Sequence, residues 1–247
     1  MDVRSVRILG VRVDRVTTAQ TLALIEHFIA EGRPRQVATV NPEFVMRARR
    51  DVAFHQVLDE SDLALPDGQG LLWAARLLGD PLPERVTGSD TVPLLAALGA
   101  QRGWRFFFLG AAPGVAEKAA DILRAAHPGL LVVGAYAGSP DPAEEDEIVA
   151  RVREVGPDLL FVAYGAPRQD VWIWRNKGRL GVPVCMGVGG TFDFIAGVTP
   201  RAPAWMRAHG LEWLYRLIRQ PWRWRRMLAL PEFTWRIILC KLGGTNT

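Results

Sequence analysis

The chain has 247 residues, 49% of them hydrophobic and 23% charged, enough to bury a full core as one large domain or two lobes. No run approaches the roughly 20 apolar residues that span a bilayer, and the opening Met-Asp-Val-Arg-Ser-Val-Arg lacks the apolar stretch of a secretory leader. The net charge of +4 is unevenly spread: from Arg201 onward nine Lys/Arg face only Glu212 and Glu232, which makes that end +7 and leaves −3 for residues 1–200.

Val6–Val16 reads as a hairpin or short strands, followed by a helix over Thr18–Ala30 that Thr17 or Thr18 can cap. Gln36–Val40 reads as a strand running into Thr39-Val40-Asn41-Pro42-Glu43. Leu63–Leu65 is a brief strand stopped by Pro66-Asp67-Gly68, and the helix Gln69–Leu78 comes next. These pieces suggest a smaller α/β lobe over about residues 1–100. The alternation is then regular: strand Arg105–Gly110, helix Pro113–Ala126, strand Leu130–Gly134, acidic helix Pro142–Val155, strand Asp158–Gly165, helix Arg168–Leu180 and strand Val182–Val188. Short continuous apolar runs separated by helices mark a parallel sheet covered on both faces. The expected fold is therefore α/β, with a Rossmann-like parallel sheet over about 101–200 and helices on both faces. Beyond Pro200 the pattern is helical, broken by Gly210, Pro221 and Pro231. Five of the nine tryptophans fall there, so residues 201–247 read as a basic, Trp-rich appendage suited to an anionic surface.

Ligands of parallel α/β sheets bind beyond the carboxyl ends of the strands. The polar residues at those ends are Thr39 and Asn41, Asp67, the Gly110–Gly114 loop, Gly165–Gln169 and Gly187–Asp193. Glycine-rich turns there let backbone N–H groups approach a phosphate, although the fold itself also asks for glycine at such turns. A carboxylate at the end of an apolar strand suits a general base; Asp67 could equally serve the Asp-Gly turn or cap the following helix. Arg85 and Gln169 stand near strand ends too. Arg216, Arg219, Arg223 and Arg226 recur every three or four residues and share a helical face if Pro221 only kinks the chain. Arginine forks suit a diphosphate, while a solvated basic face over packed tryptophans is the plainer reading. Two unrelated cysteines, four scattered histidines and the lack of Asp-x-Asp point to a reducing cytoplasm, no disulfide and no metal.

Read together and in order, Thr39-x-Asn41, Pro66-Asp67-Gly68, Arg85-x-x-Gly88, Phe108-Leu109-Gly110, Gly165-x-Pro167-Arg168-Gln169-Asp170, Gly187-Val188-Gly189-Gly190-x-Phe192-Asp193, Arg201-Ala202-Pro203 and Glu212-Trp213-Leu214-Tyr215-Arg216 carry a likeness. Over about Ile8 to Arg226 the sequence resembles the WecG/TagA/CpsF glycosyltransferases. The resemblance implies a metal-independent, inverting transferase that needs no cofactor. It would move N-acetylmannosamine, or its uronic acid, from UDP onto a polyprenyl-diphosphate-linked N-acetylglucosamine in cell-surface polysaccharide synthesis, teichoic acid included. It implies Asp67 as base, with Thr39 and Asn41 beside it, Arg85 and Gln169 along the donor–acceptor site and Asp193 at the nucleoside. The turns at Gly110, Gly165, Gly189 and Gly190 complete the expected substrate site, and Arg216, Arg223 and Arg226 would stabilise the leaving diphosphate. It further implies a cytoplasmic protein, peripheral at the inner membrane face through residues 201–247, with no nucleic-acid partner; association into a homo-oligomer is left open. Two departures stand out. Gly138 is followed by Ser139 and Pro140 where an aromatic residue is usual, and Arg168 and Asp170 replace the usual lysine and glutamate.

Two rival classes fit parts of the sequence. A dinucleotide-dependent oxidoreductase would use Gly110–Gly114, but Gly-Ala-Ala-Pro-Gly lacks the full fingerprint and no acidic residue closes Leu130–Gly134. A non-enzymatic nucleic-acid binder would grip through the Arg/Trp tail, whose apolar stretch Ile237–Leu239 favours a membrane instead.

Overall fold

The computed structural model describes residues 3–243, the side chains of Ala208 and Arg223 lying outside the described residues. The chain opens on a hairpin, β1 (Ser5–Ile8) against β2 (Val11–Asp14), closed by Leu9 and Gly10. Both have positive φ, 49° and 87°, as a two-residue primed turn requires. Asp14 ties the hairpin to the main sheet by accepting the Ala64 N–H at 2.7 Å.

Helix α1 (Thr18–Glu31) is started by Thr17, whose hydroxyl accepts from Gln20 N–H while the Gln20 side chain accepts from Thr17 N–H, a reciprocal cap. Then come β3 (Arg35–Val40), α2 (Pro42–Ala48), α3 (Val52–Asp59), β4 (Leu63–Pro66), α4 (Gln69–Leu78) and α5 (Gly88–Arg102). The regular alternation follows as β5 (Arg105–Gly110), α6 (Val115–Ala126), β6 (Leu131–Tyr136), a 3-10 turn at Pro142–Glu144 leading into α7 (Glu145–Val155), β7 (Leu159–Ala163), α8 (Arg168–Leu180), β8 (Val184–Gly187) and α9 (Thr191–Ile195).

Apart from the hairpin, all strands join one six-stranded parallel sheet in the order β4-β3-β8-β7-β5-β6. Strands from the first hundred residues belong to it, β3 pairing with β8 as well as β4. Burial explains the unbroken apolar runs. Phe106 and Phe108 point into the core built with α1, α5 and α6, while Phe107 and Leu109 point into the one built with α7 and α8. A strand buried on both faces has no polar side to show.

The tail forms α10 (Ala204–Ala208), α11 (Glu212–Arg219), a 3-10 turn at Pro221–Arg223, α12 (Trp224–Met227) and α13 (Ala229–Gly243). Pro221 does more than kink the chain. Helix α11 ends at Arg219, Gln220 leaves helical geometry, and the arginines expected on one helical face are spread over α11, the 3-10 turn and α12. Pro231, expected to break the tail, instead sits inside the first turn of α13, where its missing N–H would have had no helical partner anyway.

Helix α13 is fixed to the body. Phe233 and Ile237 are buried among residues of α2 and α4, and Glu232 pairs with Arg50. Phe233→Ala should therefore lower stability by about 3 kcal/mol in urea unfolding. A loss below about 1 kcal/mol would show that α13 is not part of the cooperative unit.

Candidate active site

Asp67 follows the last residue of β4, and its N–H donates to Val40 O at 2.7 Å, placing it beside the end of β3. Gly68 makes the turn at φ 136°; a Cβ there would stand 3.2 Å from Pro42 Cδ, and one at Gly70 would stand 2.9 Å from Pro42 Cγ. The two glycines thus let the Asp67 turn press onto Asn41-Pro42. Asn41 caps α2, its side-chain oxygen accepting from Phe44 N–H at 3.0 Å.

A cleft of about 330 Å³ opens over the carboxyl ends of β3, β4, β7 and β8. Thr39, Asn41, Asp67, Gly165, Gln169, Gly189, Gly190, Asp193, Arg216 and Arg226 all line it. Thr39 is nearly buried, its hydroxyl donating to Gly187 O at 3.3 Å. Gln169 is buried, and its side-chain oxygen accepts from Gly189 N–H at 2.9 Å, which sets the loop after β8. Gly190 keeps that loop bare: a Cβ there would lie 3.3 Å from Arg216 Nη2. The Arg216 guanidinium also stands 4.8 Å over the Phe194 ring, and its Nε is buried without a hydrogen-bond partner among the described residues.

A second cleft, of about 560 Å³, meets the first along Asn41, Glu43, Asp67, Ser89 and Arg216. Arg85 lines this one rather than the first. Its guanidinium is 3.9 Å from Glu212 and 4.0 Å from Asp90. Gly110 lines neither cleft, and nor does any other residue of Gly110–Gly114. At φ 102°, a Cβ on Gly110 would fall 2.8 Å from the Ala163 carbonyl carbon, so this glycine serves the β5–β7 contact. The side chain of Arg223 lies outside the described residues.

The electrostatics single out Asp67. Burial pushes its carboxyl up to about 7; Arg85 pulls it down, Glu212 raises it further, and the Gly88 N–H and Arg216 hold it back. Burial also raises Asp193, against its own backbone N–H and Arg216. The arginines already have carboxylate neighbours: Arg226 holds Glu43 by Nε at 2.9 Å and Nη2 at 2.8 Å. Glu43, Ser89, Tyr164 and Phe194 line the clefts as well but are not singled out by sequence, while Glu212, which opens the motif Glu212-Trp213-Leu214-Tyr215-Arg216, lines the second. Glu43 and Ser89 each follow a recognised motif residue closely, which was the available signal. Among the described residues, no group of three or more His, Cys, Asp or Glu is placed to hold a metal ion. The Gly138 departure lies beside the site: a Cβ on Gly138 would be 2.8 Å from the Tyr164 hydroxyl, while the Ser139 hydroxyl accepts from Asp141 N–H at 3.1 Å.

Behind Gln169, the carboxyl of Asp170 is fully buried, and burial raises it to about 7 against its backbone N–H and the Gln169 side chain. A folded-state value above the unfolded one means that the folded protein binds more protons between about pH 4 and 7, so this group takes away stability as pH rises through that window. Asp170→Asn should then gain about 1–2 kcal/mol at pH 8 and little at pH 4. Equal shifts in thermal midpoint at both pH values would refute this.

The tail also shows an apolar exterior: Trp205, Trp222, Trp224, Trp235 and Leu242 are exposed. Among the described residues no helix is long and apolar enough to cross a membrane.

A parallel sheet with a polar, glycine-walled cleft at its strand ends, lined by a half-buried carboxylate and by arginines, defines an α/β protein whose ligand site lies beyond the carboxyl ends of its strands. The model of the "Glycosyl transferase WecG/TagA/CpsF family" matches residues 6–247. Relatives named N-acetylglucosaminyldiphosphoundecaprenol N-acetyl-beta-D-mannosaminyltransferase share the sequence over most of its length. The Bacillus subtilis (strain 168) protein is 33% identical over 87% of this chain and 83% of its own. The Bacillus spizizenii protein is 31% identical over 92% and 87%, and that of Staphylococcus aureus (strain MW2) 30% identical over 96% and 93%. The chain belongs to the WecG/TagA/CpsF family and is a glycosyltransferase.

Proposed function

We propose that this glycosyltransferase moves N-acetylmannosamine, or its uronic acid, from UDP onto a polyprenyl-diphosphate-linked N-acetylglucosamine, with inversion and without a metal, in building a cell-surface polysaccharide. The relatives' names supply the sugar and the acceptor. The observation that carries the mechanism is Asp67, a carboxylate lifted to about 7 where two clefts meet, with Arg85 and Arg216 as its cationic neighbours.

The step balances on these residues. The acceptor hydroxyl oxygen forms a bond to the anomeric carbon as the bond from that carbon to the UDP oxygen breaks. The hydroxyl proton passes to Asp67, whose raised value suits a base working near neutrality. The charge that builds on the departing diphosphate is met by Arg216 and Arg226, while Arg85 stands on the acceptor side. Thr39 and Gln169 act by fixing the loop at Gly187–Gly189, and Gly165, Gly189 and Gly190 leave backbone open to the nucleotide. Residues 201–247 dock on the inner face of the cell membrane through their exposed tryptophans, which brings the enzyme to its lipid-linked substrate.

Release of UDP from UDP-N-acetylmannosamine, measured with and without a lipid-linked N-acetylglucosamine, tests this reading. Acceptor-dependent release supports it. Release from another UDP-sugar alone would overturn the donor assignment.

A further inference from the structure

We propose that the second cleft seats the isoprenoid diphosphate of the acceptor, with the first isoprene units against Trp73, Leu211, Trp213 and Leu230 and the diphosphate at Arg85. This rests on the reaction given above and adds where the lipid lies.

A displacement that inverts the anomeric carbon puts nucleophile and leaving group on opposite sides of it, so the two substrates reach Asp67 from two directions. Two clefts meet there. The one walled by bare backbone at Gly165, Gly189 and Gly190 suits a nucleotide, which leaves the other for the acceptor.

The second cleft carries aromatic and aliphatic side chains from α4, α11 and α13, where a sugar nucleotide has nothing to offer and a branched hydrocarbon chain does. Its volume of about 560 Å³ lies well within the range of cavities that hold ligands of this size. At its polar end Arg85 is only loosely engaged, 3.9 Å from Glu212, so a diphosphate oxygen can take that guanidinium at closer range.

Trp73 and Trp213 are 40% and 42% exposed, so both stand at the mouth of the cleft. A chain leaving between them emerges beside the tail, whose exterior is itself apolar.

The test is steady-state kinetics, free of membranes, with two acceptors: N-acetylglucosamine diphosphate esterified with farnesyl, and the same diphosphate esterified with methyl. The native enzyme should show a KM about 10-fold lower for the farnesyl compound, from burial of the added hydrocarbon. Trp73→Ala and Trp73→Ala/Trp213→Ala should shrink that ratio to about 2-fold, with UDP affinity by calorimetry reporting that the donor cleft is still folded. A native enzyme indifferent to the chain, or a ratio that survives both substitutions with UDP binding intact, overturns the proposal. If neither acceptor is used, the reaction itself is wrong and the proposal falls with it.

Discussion

Asp67→Asn should lower kcat by about 10³-fold with little change in the KM for either substrate, the range expected when a general base is removed from its place. The amide keeps the size and the hydrogen-bonding reach of the carboxylate, so the turn pressed onto Asn41-Pro42 survives and only proton acceptance is lost. The pH profile adds a second, independent signature. A base must be ionised to work, and burial lifts this carboxyl to about 7. Activity of the native enzyme should therefore climb as pH rises through about 7 and level above it. Glu212 adds to that lift, so Glu212→Gln should move the climb to lower pH. A native profile flat from pH 5 to 8, or an Asp67→Asn enzyme within about 10-fold of native, would assign Asp67 to the turn alone.

Arg216→Ala should cost about 10²–10³-fold in kcat, the loss typical of deleting one group that stabilises charge in the transition state. Its guanidinium reaches the first cleft over Phe194 and beside Gly190, and its Nε is buried without a partner among the described residues. The Nε of this cation is out of water before any ligand arrives, and an anion binding there gains more than it would in water. Arg216→Lys should recover little, since a point charge reproduces neither the fork nor the stacking. Arg226 differs because Glu43 already holds it at two nitrogens, and a diphosphate must compete for it. The comparison should be made with single substitutions rather than by removing the tail, because truncation at Arg201 would also strip Phe233 and Ile237 from the core. An Arg216→Ala enzyme with near-native kcat would place the leaving-group charge elsewhere.

The parallel sheet was legible because strands buried on both faces read as unbroken apolar runs, Arg105–Gly110 above all. Helix α5 was not. It holds Gly88, Pro93 and Gly99, and packing overrides their poor propensity. The Phe106 ring occupies the place of a Cβ at Gly99, so that glycine belongs to the core rather than to a turn. Helices α2 and α3 are short and rest on the caps Asn41 and Asp51, signals that also read as loop. Residues expected at strand ends, Thr39, Asn41, Asp67 and the Gly189-Gly190 turn, share the first cleft, whereas Gly110 packs against Ala163 on the neighbouring strand and lines neither cleft. Glu43 as the holder of Arg226 was beyond local reading, for 183 positions separate the two. The break at Pro221 was beyond it for another reason, since a proline after a helix can kink or end it and only packing decides.

The burial of α13 on α2 and α4 has a kinetic consequence. Undocking Phe233 and Ile237 together would cost about 4 kcal/mol from apolar burial alone, leaving that end of the tail detached in roughly one molecule in a thousand. At the other end Ala202 is buried and Arg201 holds Asp90 at 2.7 Å. The stretch between them, which carries Arg216 and Arg226, is thus a strap buckled at both ends. Because its ends rarely part, an outward excursion of that stretch is reversed by the closing of a loop within the same chain, on the scale of microseconds or faster. Such a strap shuts at the same rate however dilute the enzyme.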